Sequence, residues 1–145
     1  MTQSAAKEPA GAAGATARPV RYEIADRIAP ITIDRPEARN AINPAVRRGL
    51  IEAFADASVN PDVWLVVLTG TGDRAFCAGG DLKKNDENER EGKRHVVPMT
   101  GPDKNVYETV LECYKPTIAA LNGHAYGGGL ELALSEKREP RWQAK

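Results

Sequence analysis

The residues best placed to do chemistry in this chain are glycines. Gly70 to Asp81 (GTGDRAFCAGGD) holds four of them and follows an apolar run. Gly127-Gly128-Gly129 follows a second, shorter one. A glycine loop after a strand lets backbone N–H groups meet a ligand with no side chain between. Two such loops at one edge of an α/β sheet can aim their N–H groups at a single oxygen, because ligands there sit beyond the carboxyl ends of the strands. Two converging donors form an oxyanion hole, each worth about 3 kcal/mol in a transition state. Gly128 also precedes a helix-forming stretch, LELAL, whose first turn carries partial positive charge. Glu131 follows Gly128 by three residues, so the two share a helix face. A carboxylate beside an oxyanion hole is a natural general acid or base. The helix dipole alone also favours a glutamate there, and the spacing leaves both readings open.

The elements that must position these loops can be read from the pattern. Val20, Tyr22 and Ile24 alternate with polar residues, and Ile28 to Asp34 repeats the period of two. The spacing predicts a hairpin turning at Ala25-Asp26-Arg27 and stopped by Arg35-Pro36. Asn43-Pro44 is a helix start, with Val46, Leu50, Ala53, Phe54 and Ala57 on one face. Val63 to Thr69 is continuously apolar, as in a strand covered on both faces, and Trp64 reads as core. Lys83 to Arg94 is almost wholly polar, a surface helix at best. Val106, Tyr107, Val110, Leu111 and Tyr114 suggest a second amphipathic helix. Pro116 separates it from a short strand at Thr117 to Leu121, and Asn122-Gly123 turns the chain.

Composition narrows the function classes. The chain has 145 residues, 20 basic and 20 acidic side chains, and is 41% hydrophobic. That is one domain at most on a prior of about 150 residues each. Balanced charge argues against a basic nucleic-acid binder. No apolar run approaches the ~18 residues that span a bilayer. Cys77 and Cys113 are too few for a disulfide scaffold and fit a reducing compartment. Residues 1–19 are Ala/Gly-rich, lack a secretory apolar region and read as a disordered tail; the expected location is the cytoplasm. Gly70 to Ala75 matches the dinucleotide pattern G-x-G-x-x-A, yet FCAGG is a poor helix start, which weighs against a nucleotide site.

Three stretches together carry a resemblance: ITIDRPEARNAIN (Ile31 to Asn43), FCAGGDL (Phe76 to Leu82) and KPTIAALNGHAYGGGLELAL (Lys115 to Leu134). In order and spacing the chain resembles the crotonase superfamily, the enoyl-CoA hydratases and isomerases, over residues 20–134. The resemblance implies an α/β fold, a crotonase-like spiral of ββα units, here ending after the second glycine-rich loop and its helix. It also implies an acyl-CoA thioester as substrate and no separate cofactor or metal. By the family's pattern Gly80 and Gly128 donate the oxyanion N–H groups and Glu131 is a catalytic carboxylate. Ala78, Gly80, Asp81, Leu82, Lys83 and Gly128 would line the acyl-pantetheine arm, and Lys83 is a candidate for the CoA phosphates. The implied reaction is syn addition of water to a 2-enoyl-CoA. Alternatives are an isomerase or another crotonase activity, or an inactive fragment that binds acyl-CoA or intact subunits.

The sequence also departs from the family's pattern. The second hydratase carboxylate falls beyond Lys145, and residues 135–145 (SEKREPRWQAK) are a polar tail unlike the family's continuation. The expectation is the first half of a crotonase, truncated, with sheet and helix faces left exposed. The homotrimer or hexamer of the full family domain loses its supporting helices in such a chain; no nucleic-acid or membrane partner is expected. Among the remaining residues, Cys77 reads as a buried filler, His124 and Tyr126 as pocket wall or packing, and Arg39 as a phosphate candidate. Asp81 reads as a turn cap or a catalytic group.

Overall fold

The computed structural model describes residues 18–92 and 105–135. Residues 1–17, 93–104 and 136–145 lie outside the described part, and with them most of both expected tails. Three ββα repeats follow one another. β1 (Val20–Tyr22), β2 (Ile28–Ile33) and α1 (Pro44–Val59) form the first. The second holds β3 (Leu65–Gly70), β4 (Ala75–Cys77) and α2 (Leu82–Arg90). After α3 (Val106–Glu112) come β5 (Thr117–Ala119), β6 (His124–Ala125) and α4 (Gly128–Leu134).

Four strands form one sheet in the order β1-β2-β3-β5, and β4 and β6 form a separate pair. β1 and β2 are an antiparallel hairpin, turned by Asp26 and Arg27 at φ 51° and 68°. Two left-handed residues match the twist of a two-residue hairpin loop. β2 with β3, β3 with β5, and β4 with β6 are parallel pairs. Parallel pairing needs crossovers, and α1 supplies the first. Asn43 caps α1 by accepting the Val46 N–H at 2.9 Å, with Pro44 in the first turn. The helix buries Val46, Leu50, Ala53, Phe54 and Ala57, the face that the spacing predicts. These pack on Ala29, Ile31, Ile33, Val66 and Leu68 of the sheet. Each fully buried branched or aromatic side chain contributes roughly 1.5–3 kcal/mol against the entropy of ordering the chain.

Several expectations change on contact with the structure. The segment Gly70 to Asp81 is not all loop, because Ala75, Phe76 and Cys77 are buried and form β4. The strand reading of Val63 to Thr69 shortens to Leu65–Gly70, where burial alternates rather than covering both faces. Trp64 is not core. It is 66% exposed and carries the Arg27 guanidinium over its ring at 5.1 Å. Its place just ahead of β3 explains this, since the side chain lies outside the paired residues and Arg27 shields one ring face. A strand, not a helix, follows Gly70 to Arg74, so the dinucleotide reading lacks the helix N-terminus it requires. Large apolar side chains stand exposed on α3, β5, α4 and the segments beside them, with Tyr114 79%, Leu134 75% and Leu121 58% accessible. No helix among the described residues is long and apolar enough to cross a membrane.

Candidate active site

The parallel pairing of β4 with β6 decides where the two glycine loops go. Ala75 faces His124 and Cys77 faces Ala125, so both strands end at the same edge. The loops leaving them run side by side. Tyr126 donates its N–H to the Cys77 carbonyl at 3.1 Å. Gly79 has φ +84°, and a Cβ there would stand 2.9 Å from the Tyr126 carbonyl oxygen and 3.1 Å from the Gly128 nitrogen. Gly79 is therefore required twice, by its left-handed backbone and by the close approach of the second loop.

The far side of the first loop is tied down as well. Ala78 donates to the Arg39 carbonyl at 3.1 Å, Ile42 donates to the Gly79 carbonyl at 2.7 Å, and Asp81 donates to the Ile42 carbonyl at 3.1 Å. In a parallel ladder, a residue whose two flanking peptides bond one neighbour turns its own N–H and C=O to the opposite side. Gly80 is that residue opposite Ile42. Its N–H faces away from Ile42, the side on which β6 lies along β4. Among the described residues neither the Gly80 nor the Gly128 N–H finds a protein acceptor, while Ala78, Asp81, Gly129, Leu130 and Glu131 all do. Both residues are half-buried, so these two N–H groups on adjoining loops stay open to a ligand or water oxygen.

The other sequence-predicted residues divide. Glu131 lies in the first turn of α4, exposed, on the turn that Gly128 opens. Asp81 is not a free carboxylate: its Oδ2 pairs with Arg35 at 3.0 Å, and Arg35 also donates to the Ala41 carbonyl at 2.7 Å. Both side chains are largely buried, which makes the pair a brace for the loop carrying Gly80. Leu82 and Lys83 are exposed on the first turn of α2, and Ala78 is half-buried beside Gly79. Cys77 is buried, and burial pushes its thiol up to about 11 against a smaller opposing pull from the Gly79 N–H, which it accepts at 3.4 Å. His124 and Tyr126 are exposed and stacked on each other at 5.6 Å, so Tyr126 does not serve core packing. Arg39 is exposed in a left-handed turn. A cleft of about 920 Å³ lies elsewhere, between β1 and α1, lined by arginines and carboxylates of which Arg21 and Asp34 pair at 3.2 Å. No group of three metal-ligating side chains occurs among the described residues.

Four positioning residues, Arg35, Asn40, Asn122 and Tyr107, escape a reading of the linear pattern. Arg35 is far in the chain from Asp81, the residue it braces. Asn40, buried at φ 55°, accepts the Arg35 N–H at 3.0 Å and donates to the Thr71 and Ala75 carbonyls at 3.0 and 2.8 Å. Asn122 reaches the same Ala75 carbonyl at 3.2 Å and the Gly72 carbonyl at 2.7 Å. Tyr107 on α3 donates to the Gly128 carbonyl at 3.2 Å. Asn122 stands before Gly123, a turn signal that could have found it; nothing local marks Arg35, Asn40 or Tyr107.

The family model for enoyl-CoA hydratase/isomerase matches residues 23–139. The chain belongs to this family. Among its relatives, the (E)-benzylidenesuccinyl-CoA hydratase of Thauera aromatica is 37% identical over 117 residues, covering 81% of this chain and 44% of that protein. The structure of Pseudomonas aeruginosa PA4980 superposes with a TM-score of 0.77 at 32% identity, over 84% of this chain and 52% of that one. The carnitinyl-CoA hydratase of Mycobacterium avium does so at 0.68 and 41% identity, over 83% and 45%. The chain spans about half the length of the relatives it matches. The ββα repeats are thus those of the crotonase fold.

Proposed function

We propose that the paired glycine loops form an oxyanion hole for an acyl-CoA thioester, and that the chemistry is hydration of a 2-enoyl-CoA. The observation that carries this reading is the pair of N–H groups, Gly80 and Gly128, that find no protein acceptor among the described residues, on loops whose backbones touch at Gly79. Water adding at C3 breaks the C2–C3 π bond and moves negative charge to the thioester oxygen. Two backbone donors would hold that charge in place, at about 3 kcal/mol each. Glu131 would take the water's proton as the O–C3 bond forms, and the same carboxyl can return a proton to C2, which balances the addition. Coenzyme A arrives as part of the substrate, and the reaction needs no separate cofactor. Ala78, Asp81, Leu82 and Lys83 would flank the acyl-pantetheine arm, with Asp81 acting through its Arg35 pair to fix the loop.

One observation favours a second reading, allylic isomerisation. Of the two carboxylates next to these glycines, Asp81 is braced by Arg35, which leaves Glu131 as the candidate base. A 1,3-proton shift from C2 to C4 or back needs one base and the same hole. Turnover of 2-enoyl against 3-enoyl thioesters separates the two. Glu131→Gln is expected to lower either activity by about 100-fold or more while acyl-CoA affinity, measured by calorimetry, changes little. Unchanged turnover would remove Glu131 from the mechanism. Acyl-CoA binding with no turnover of either substrate would instead assign the chain a binding role.

A further inference from the structure

His124 and Tyr126 form an aromatic pair that the candidate site leaves unused. They stand two apart, at the start of β6 and just past its end, and successive strand residues point to opposite faces. Ala125 between them packs on the hydrophobic core, so both rings face away from it. The rings stack with centroids 5.6 Å apart and planes 27° apart. Among the described residues neither the imidazole nor the phenol hydroxyl has a hydrogen-bond partner, so polar anchoring does not account for the pair. Tyr126 is 58% accessible even with one ring face against His124, which leaves the other face open. Its backbone is fixed where the two glycine loops meet. The N–H donates to the Cys77 carbonyl at 3.1 Å, the carbonyl accepts the Gly129 N–H at 2.8 Å, and a Cβ on Gly79 would stand 2.9 Å from that oxygen. Gly128 is two residues on. A thioester oxygen held on its N–H lies within about 10 Å of the Tyr126 Cα, two residues of chain and one hydrogen bond away. The phenol ring from one side and an aryl group at C3 of the acyl chain from the other are long enough to meet across that span.

We infer that the Tyr126 ring, backed by His124, is a platform for an aromatic acyl group, which makes 3-aryl acyl-CoA thioesters the substrate class of this site. This rests on the acyl-CoA reading above. An aromatic ring has a negative face and a positive edge, so a flat ring laid offset on another is favoured over a saturated ring of the same size. Stacking of this kind is worth about two- to ten-fold in affinity beyond the area it buries. Tyrosine offers the surface at low entropic cost, because its ring turns on few torsions, and the stack on His124 restricts them further. In a 3-aryl-2-enoyl thioester the ring and the double bond share one conjugated plane, so a flat acyl group meets a flat platform. An alkyl chain would cover the same face without the stacking gain.

The test is calorimetric titration of the full chain with two thioesters that have no double bond to hydrate, 3-phenylpropanoyl-CoA and 3-cyclohexylpropanoyl-CoA, with coenzyme A alone beside them. The two acyl groups are nearly equal in size and differ in whether the ring can stack. The phenyl thioester is expected to bind about three-fold or more tightly than the cyclohexyl one. That preference should vanish in Tyr126→Leu, which keeps an apolar side chain at an exposed position. In NMR spectra of the parent chain, the Tyr126 ring protons, assigned by their loss in Tyr126→Leu, should move upfield with the phenyl thioester and not with the cyclohexyl one. Equal affinities, a preference that survives in Tyr126→Leu, or Tyr126 protons indifferent to the phenyl thioester would overturn the inference while leaving the acyl-CoA reading in place. Acyl thioesters that bind no better than coenzyme A alone would overturn both.

Discussion

Gly129→Ala tests the packing on which the candidate site depends, because helix propensity and packing give opposite signs. Alanine is favoured over glycine inside a helix by about 1 kcal/mol. Gly129, however, is buried at the point where α4 meets β4. A Cβ there would lie 2.1 Å from the Cys77 carbonyl oxygen, 2.7 Å from its carbon and 2.9 Å from the Cys77 Cβ. Ordinary contact begins at 3.4 Å, so α4 must retreat by about 1.3 Å. β4 cannot give way instead: the Cys77 carbonyl holds the Tyr126 N–H, the Ala78 N–H is held by Arg39, and the Cys77 side chain is fully buried. Retreat stretches the 3.1 Å bond between Tyr126 and Cys77 beyond hydrogen-bonding range, a loss of about 1 kcal/mol. Overpacking adds about 1–3 kcal/mol. Less the propensity gain, the net loss is about 2 kcal/mol. Urea unfolding followed by tryptophan fluorescence reads it as a lower midpoint at unchanged slope. Acyl-CoA affinity should fall with it, because Gly128 moves with α4. A variant as stable as the parent, or more stable, would refute the close contact between the two loops.

Arg35→Ala removes one partner of a largely buried ion pair and should destabilise the chain by about 3 kcal/mol in the same urea assay, whereas a loss under 1 kcal/mol would mean the brace carries little. Asp56 is held below its usual carboxylate range, first by the Tyr22 hydroxyl at 2.6 Å and then by the Asn60 amide at 3.2 Å. A depressed folded value stabilises above the unfolded one, near pH 4, and this is lost as pH falls through the folded value. Tyr22→Phe should therefore flatten the drop in urea midpoint between neutral pH and about pH 3, and an identical drop in both forms would contradict the assignment. Cys77, buried and pushed up to about 11, should react with a thiol dye at about pH 8 only as the chain unfolds, so labelling of Cys77 as fast as a free thiol would show an open loop edge.

The sequence shows most plainly those elements whose periodicity runs over several turns or residues. Asn43-Pro44 and five apolar residues at helical spacing mark α1, and Ile31 and Ile33 mark β2. β4 and β6 are three and two residues long, too short to show any period. Their pairing brings the two loops together, so the position of the candidate site depends on the elements least visible in the sequence. The family resemblance could name Gly80, Gly128 and Glu131 as an expectation, but no motif shows how they are held. Trp64 shows the opposite failure. Its apolar neighbours suggest core, yet it lies one residue ahead of β3, where an aromatic side chain meets solvent and Arg27.

The supports of the candidate hole come from the first repeat as well as from the loops themselves. The Ala75 carbonyl, at the start of β4, takes an amide hydrogen from Asn40 on one side and from Asn122 on the other. The turn that carries Asn40 also supplies Arg35, whose guanidinium fixes Asp81 one residue beyond Gly80. Ile42, next along, bonds both peptides that flank Gly80. The segment from Arg35 to Ile42 thus constrains β4 at its start, the loop at Gly79 and the exit at Asp81, without a side chain that would have to touch substrate. A backbone donor cannot be tuned by changing its own side chain, since its strength as an oxyanion ligand depends on where it is held. For Gly80 that leaves the Arg35–Ile42 segment as the place where substitution can move the N–H. For Gly128 the corresponding places are the Gly129 contact with β4 and the hydroxyl of Tyr107. Changes at these supports should alter the candidate hole more gradually than changes at Gly79 or Gly129, which the close backbone contacts scarcely permit.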